Sequence, residues 1–150
     1  MAINRTCEKL MKLKMSNMNL RNSNFINNLC SIFDKNKLIY LDISWASLKS
    51  KELNTIVWNL KNYGNNMRNL NLSYNDLDFT EGSTNYNDSI SYMVNIEKFL
   101  QRANFINHIN LSGMNYGPTQ ILELLKMLNN CQYLLGIHLS DNNICPIGMN

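Results

Sequence analysis

Paired cysteines, long apolar runs and clustered arginines are missing from this 150-residue chain, and each absence removes a class of explanation. Its four cysteines, Cys7, Cys30, Cys131 and Cys145, form no C-x-x-C pair, so reduced structural thiols are expected in place of disulfides or zinc ligands. No apolar stretch nears the roughly 18 residues that a membrane span needs. The amino terminus, MAINRTCEKL, lacks the apolar segment of a secretory signal. Lys and Arg among residues 1–21 face one acid, Glu8, as in a mitochondrial presequence, but the same stretch already holds a structural phrase described below, so that reading is disfavoured. Asn makes up about one residue in five, and the Asn residues fall between apolar positions at regular spacing, unlike a prion-like tract.

What the chain does contain is one phrase repeated five times. Leu10-x-x-Leu13-x-Met15-x-x-Met18-x-Leu20 is followed by Leu38-x-x-Leu41-x-Ile43-x-x-Ala46-x-Leu48 and Met67-x-x-Leu70-x-Leu72-x-x-Asn75-x-Leu77. Ile106-x-x-Ile109-x-Leu111-x-x-Met114-x-Tyr116 and Leu134-x-x-Ile137-x-Leu139-x-x-Asn142-x-Ile144 complete the series. A serine follows the third apolar residue each time: Ser16, Ser44, Ser73, Ser112 and Ser140. Starts near 10, 38, 67, 106 and 134 are spaced by 28, 29, 39 and 28 residues, a period that signals a stacked array and not one closed core. Between the phrases the spacing becomes helical. Phe25, Ile26, Leu29, Ile32 and Phe33 share a face, as do Leu53, Ile56, Val57 and Leu60, then Met93, Ile96 and Leu100, then Ile121, Leu124, Leu125 and Leu128. Ser23, Ser50 and Thr119 are expected to cap helix starts, and Gly64 to end the second helix in a left-handed conformation.

The phrase resembles the leucine-rich repeat, and its length is similar to the ribonuclease-inhibitor-like subclass. The resemblance implies an α/β solenoid, an open horseshoe arc of about five repeats, with parallel strands on the concave side and helices on the convex side. It covers residues 10–150 as one domain after a short lead at 1–9, with an insertion at about 78–91 and an incomplete last repeat. The family usually has Asn at the variable position, but only Asn75 and Asn142 supply it here. The turns at Met18, Ala46 and Met114 are therefore expected to use nearby Asn side chains such as Asn17, Asn19 or Asn115, or water.

Alternation along each strand places Lys14, Asp42, Asn71, Asn110 and His138 in one exposed column and the serines in the next. Beside the serines stand Asn17, Trp45, Tyr74, Gly113 and Asp141, with Tyr40, Arg68 and His108 just before the columns. Exposed aromatics near an arginine are residue types that dominate protein interfaces, so Tyr40, Asp42, Trp45, Arg68, Tyr74, His108, His138 and Asp141 form the candidate partner-binding face. A second candidate surface is the carboxy-terminal edge, where Ile137, Leu139, Ile144 and Ile147 have no following helix to cover them, and the expectation is that another polypeptide or a longer array does so. The polar insertion, DFTEGSTNYNDSIS, reads either as a docking loop or as disordered surface, ahead of a helix starting near Ser89 or Ser91.

Catalysis is not expected. His138, Ser140 and Asp141 suggest a triad, but Asp141 directly follows Ser140 and points elsewhere, and an open strand excludes no water. His108 and His138 are expected to stack, yet two ligands make no metal centre. No cofactor, metal, small-molecule substrate or membrane is implied. Charge is polarised: residues 1–68 have eleven bases against four acids (+7), and the remainder three against seven (−4). Nucleic acid is disfavoured because the bases are dispersed. The resemblance implies a non-enzymatic protein–protein scaffold, an intracellular subunit of a cytoskeletal or ciliary (axonemal) complex. The alternative is a regulatory module acting in trans on an enzyme such as a small GTPase.

Overall fold

The computed structural model describes residues 9–35, 37–103, 105–129 and 131–144, in which strands and helices alternate. They run β1 (Lys12–Lys14), α1 (Ser23–Lys35), β2 (Tyr40–Asp42), α2 (Ser50–Tyr63), β3 (Asn69–Asn71), α3 (Tyr86–Arg102), β4 (His108–Asn110), α4 (Pro118–Leu128) and β5 (Gly136–His138). Parallel neighbours cannot be joined by a tight hairpin, so each helix serves as the crossover that returns the chain to the start of the next strand. The five strands pair in chain order, all parallel.

The register is the one the repeat phrase implies: Lys14, Asp42, Asn71, Asn110 and His138 are partners across the sheet. Beyond the strands the ladder continues through the serines. Asn17, Trp45, Tyr74 and Gly113 donate their N–H groups to the carbonyls of Ser44, Ser73, Ser112 and Ser140 at 2.8–3.0 Å. One continuous core of buried side chains lies between sheet and helices, from Leu20 to Leu124. Leu53, Ile56, Val57 and Leu60 of α2 are shut off from solvent, which for side chains of this kind stabilises by about 1.5–3 kcal/mol each.

Several local expectations are corrected. The helix caps lie one or two residues earlier than expected. Asn22 Oδ1 accepts from Phe25 N–H at 3.2 Å, Glu52 reaches back to Lys49 N–H at 3.1 Å, and Gln120 to Gly117 N–H at 3.2 Å. Ser50 is instead inside α2 and buried, where its Oγ accepts from Asp78 N–H and from Ser89 Oγ. Gly64 has φ −84°, not left-handed; it is glycine because a Cβ would lie 2.6 Å from Leu60 O and 3.1 Å from the Phe99 ring. α3 begins at Tyr86, ahead of Ser89, because Ser89 itself belongs to the buried side with Tyr92, Met93, Ile96, Phe99 and Leu100. The insertion is pinned, since Asp78 N–H reaches the two serines and the Phe79 ring packs 6.0 Å from that of Tyr116. In α4, Ile121 and Leu124 are buried, but Leu125 is exposed and Leu128 partly so, because no described helix covers that side.

The turns are satisfied from the following coil. Asn75, 3% exposed, accepts from Ala46 N–H (3.2 Å) and Leu48 N–H (3.0 Å) and donates to Ile43 O and Leu72 O. Asn142 repeats this one pair of coils later, accepting from Met114 N–H and Tyr116 N–H and donating to Leu111 O and Leu139 O. The coils lacking their own Asn at Ala46 and Met114 therefore borrow an amide from the next coil, not from Asn17 or Asn115. Asn19 contributes only locally, to Arg21 N–H at 3.3 Å. Asn75→Ala strands four buried backbone groups and should lower stability by about 3 kcal/mol or more, with Asn142→Ala costing less because its surroundings are half-exposed; urea unfolding measures both.

Candidate protein interface

The sheet face opposite the helices is built from a local rule. At strand ends with Asp or Asn two residues before the serine, the side chain bends back onto the turn: Asp42 Oδ1 accepts from Ser44 N–H (3.1 Å) and Ser44 Oγ (2.7 Å), and Asn71 does the same for Ser73. Asn110 accepts from Ser112 N–H at 3.0 Å. The Ser44 and Ser73 hydroxyls thus fix their own strands' exits, while the backbone carbonyls of the serine column carry the ladder to the adjacent coil. Asp42 is only 3% exposed. It lies beneath Lys14, whose ammonium is 3.4 Å from Oδ2, so it supports the face from below. Burial pushes the Asp42 carboxyl up, but the Ser44 hydroxyl and N–H and then Lys14 outweigh that effect and hold it below the usual carboxylate range.

At the residue after each serine the backbone turns left-handed: φ is 58° at Asn17, 53° at Trp45, 56° at Tyr74, 60° at Gly113 and 56° at Asp141. Only glycine takes this conformation without strain, so Trp45 and Tyr74 are backbone outliers that their surroundings must hold in place. Trp45 stacks on Tyr74 with ring centroids 4.1 Å apart and planes 12° from parallel. The Tyr74 ring lies across Gly113, where a Cβ would come within 2.5 Å of it. Its hydroxyl donates to Asp141 Oδ2. Trp45 remains 57% exposed at the end of this ridge.

The other expected residues are placed as follows. Tyr40 and His108 occupy one row with Lys12, Asn69 and Gly136, and Tyr40 is half-buried. Arg68 falls one position before that row, level with Ile39 and Asn107, and is exposed away from the Trp45 stack's own column. His108 and His138 rings are 6.0 Å apart at 24°, with His108 lying over Gly136. Asp141 is engaged by Tyr74, and among the described residues no His–acid ion pair occurs. Ile137 and Leu139 are half-buried and Ile144 is exposed; Ile147, Cys7 and Cys145 lie outside the described residues. Burial pushes the Cys30 thiol up to about 12 and raises Cys131, so neither is primed as a nucleophile. An open cleft of about 480 Å³ beside the turns is lined by Lys49, Asp76, Asp78, Asn115 and Gln120, with Lys49 paired to Asp76.

Gly113 was the site residue least visible beforehand. Its signal in the sequence was its position, the one glycine in a column that elsewhere holds side chains, immediately next to Tyr74 of the preceding coil. Among the described residues no group of three or more metal-ligating side chains occurs, and no helix is long and apolar enough to cross a membrane.

Five parallel strands alternating with four helices, built on one repeated phrase, define a protein of leucine-rich-repeat-like α/β architecture. Its similarity to solved structures is of the fold alone. The chain is similar to leiomodin-1 actin-binding site 2 (TM-score 0.68, 13% identity, 87% of this chain and 70% of that one). It is also similar to the C-terminal domain of a Caenorhabditis elegans tropomodulin (TM-score 0.66, 14% identity, 87% of this chain and 74% of that one). The sequence matches no protein-family model and no curated protein.

Gly113→Ala places a Cβ in the Tyr74 ring and an L-residue at positive φ. It should cost about 1–3 kcal/mol and weaken the near-ultraviolet circular dichroism of the Trp45–Tyr74 pair. Because Asp42 has a depressed pKa in the folded state, its stabilisation is present above the ordinary carboxylate pKa and is lost as pH falls through the folded value. Ser44→Ala should therefore flatten the loss of stability that sets in as pH falls below the ordinary carboxylate pKa, seen as urea midpoints that differ from the parent at neutral pH and converge in acid.

Proposed function

We propose that this chain is a non-enzymatic protein-binding scaffold of the cytoskeleton, a subunit held within a larger assembly, with ribonuclease-inhibitor-like repeats spanning residues 10–150 as one domain in a horseshoe arc. The observation that carries the reading is the Trp45–Tyr74 ridge. A large indole is left 57% exposed on a strained backbone while two later coils, through Gly113 and Asp141, hold its neighbour Tyr74 in place. Apolar area kept rigid and in water costs stability and gains nothing unless a partner covers it.

The chemistry of the face supports binding over turnover. Its one buried carboxylate is committed to Ser44, Asp141 to Tyr74, and both described thiols are raised out of the reactive range. The fold of leiomodin-1 actin-binding site 2 supports actin as the first partner to test, and a ciliary assembly is the narrower form of the same reading. Tyr40, Trp45, Tyr74, Arg68 and the His108–His138 pair are the residues assigned to contact, with Ile137, Leu139, Ile144 and Ile147 as a second edge.

Co-sedimentation with filamentous actin, and native-gel shift with monomeric actin, should show saturable binding of the chain to at least one form. A folded chain that binds neither form, nor microtubules in the same assay, would remove the cytoskeletal reading.

A further inference from the structure

The ridge has a direction, and its open end lies beside positive charge. Trp45 has one face against Tyr74; its other face looks toward the first coil, where the equivalent residue is the exposed Asn17, too small to cover an indole. On that same coil Lys12 and Lys14 stand exposed on β1, in register with Tyr40 and Asp42. Strand spacing places the Lys14 backbone on the order of 10 Å from Trp45. The acid beneath Lys14, Asp42, is buried and spent on Ser44. It meets Lys14 at 3.4 Å, and among the described residues no acid lies within 4.0 Å of the Lys12 ammonium.

We propose that Trp45 with Lys12 and Lys14 forms one composite site for an acidic segment of a partner protein that places an aromatic side chain on the free indole face and carboxylates on the two lysines. This deepens the protein-binding reading above and rests on it. The strain supports it: Trp45 and Tyr74 are held at φ 53° and 56° by contacts from Gly113 and Asp141 in later coils, so the platform is formed before any partner arrives and little side-chain freedom is lost on docking. The charge pattern selects a peptide over a nucleic acid. Within the five strands lysine occurs only in β1, while the far end of the ridge holds the Asp141 carboxylate, which repels a uniformly charged polyanion running along it.

The test uses the full chain with Trp58→Phe, so that Trp45 is the remaining indole of the two in the sequence. The probe is a labelled synthetic peptide of Asp and Glu with one central Phe, set against the same peptide with Ala for Phe and against oligothymidine of equal charge. Binding of the Phe peptide should shift the indole emission. Trp45→Ala should weaken it by on the order of tenfold or more, and Trp45→Tyr should restore part of the loss. Lys12→Gln with Lys14→Gln should weaken it by a similar factor and flatten its salt dependence. Both positions are exposed, so the thermal midpoint should stay near the parent's and confirms folding. No binding of the Phe peptide, affinity unchanged by these substitutions, equal affinity for the Ala peptide, or tighter binding of oligothymidine would each overturn the site. Actin binding retained alongside any of those results would defeat this site alone and leave the scaffold reading standing; actin binding lost with peptide binding intact would do the reverse.

Discussion

The amide of Asn75 is the point on which the array depends. A coil this tight leaves backbone N–H and C=O groups inside the stack, where water cannot reach them, and one side chain that both accepts and donates resolves four of them at once. Three of those groups belong to the preceding coil and span 27–32 residues of sequence. The bond is therefore a joint between repeats as well as a turn brace. Asn142 makes the second such joint, so coils two and three, and coils four and five, are locked as pairs. What joins the third coil to the fourth is different: the strand ladder, the packing of α3 on α4, and the hydroxyl contact of Tyr116 with Tyr92 at 2.9 Å, both buried.

With the joints fixed, the exposed side of the sheet becomes a surface on which positions repeat every coil but chemistry does not. Apolar residues take the inward positions because both faces of a strand–helix unit need burying against neighbours. The outward columns are free to differ, and they do: lysines at β1, a buried aspartate at β2, asparagines at β3 and β4, a histidine at β5. The left-handed turn after each serine then brings one further side chain per coil into a line. Trp45 and Tyr74 use that line to stack, and Gly113 leaves the space that lets the stack lie flat. Variation in such a molecule resides in the columns, and stability in the amides and the core behind them.

Much of this was legible in the residues. The strand register, the serine alignment, the helix faces of α1 and α2 and the proximity of Trp45 to Tyr74 all follow from a period near 28 and the alternation of a strand, because both are properties of spacing. The errors have a common origin. Ser23, Ser50 and Thr119 looked like caps by residue type, but a cap is decided by which backbone is extended, and Lys49 and Gly117 were, at ψ 175° and 178°. Leu125 fitted its stripe but faces a side that no described helix covers. Ser89 suggested a helix start by residue type, yet it lies inside α3, where its hydroxyl is satisfied by Ser50 and Asp78, which permits burial.

The sequence by itself determined how many coils there are, which residues face the core and which columns face outward, since periodicity along a chain is a local quantity. Only the tertiary structure decided that Asp42 is sealed under Lys14, that each borrowed amide comes from the coil after, and that Gly113 exists to seat the ring of Tyr74. Those outcomes depend on the sign of φ and on contacts between residues a full repeat or more apart, and neither is written in the pattern of apolar and polar residues.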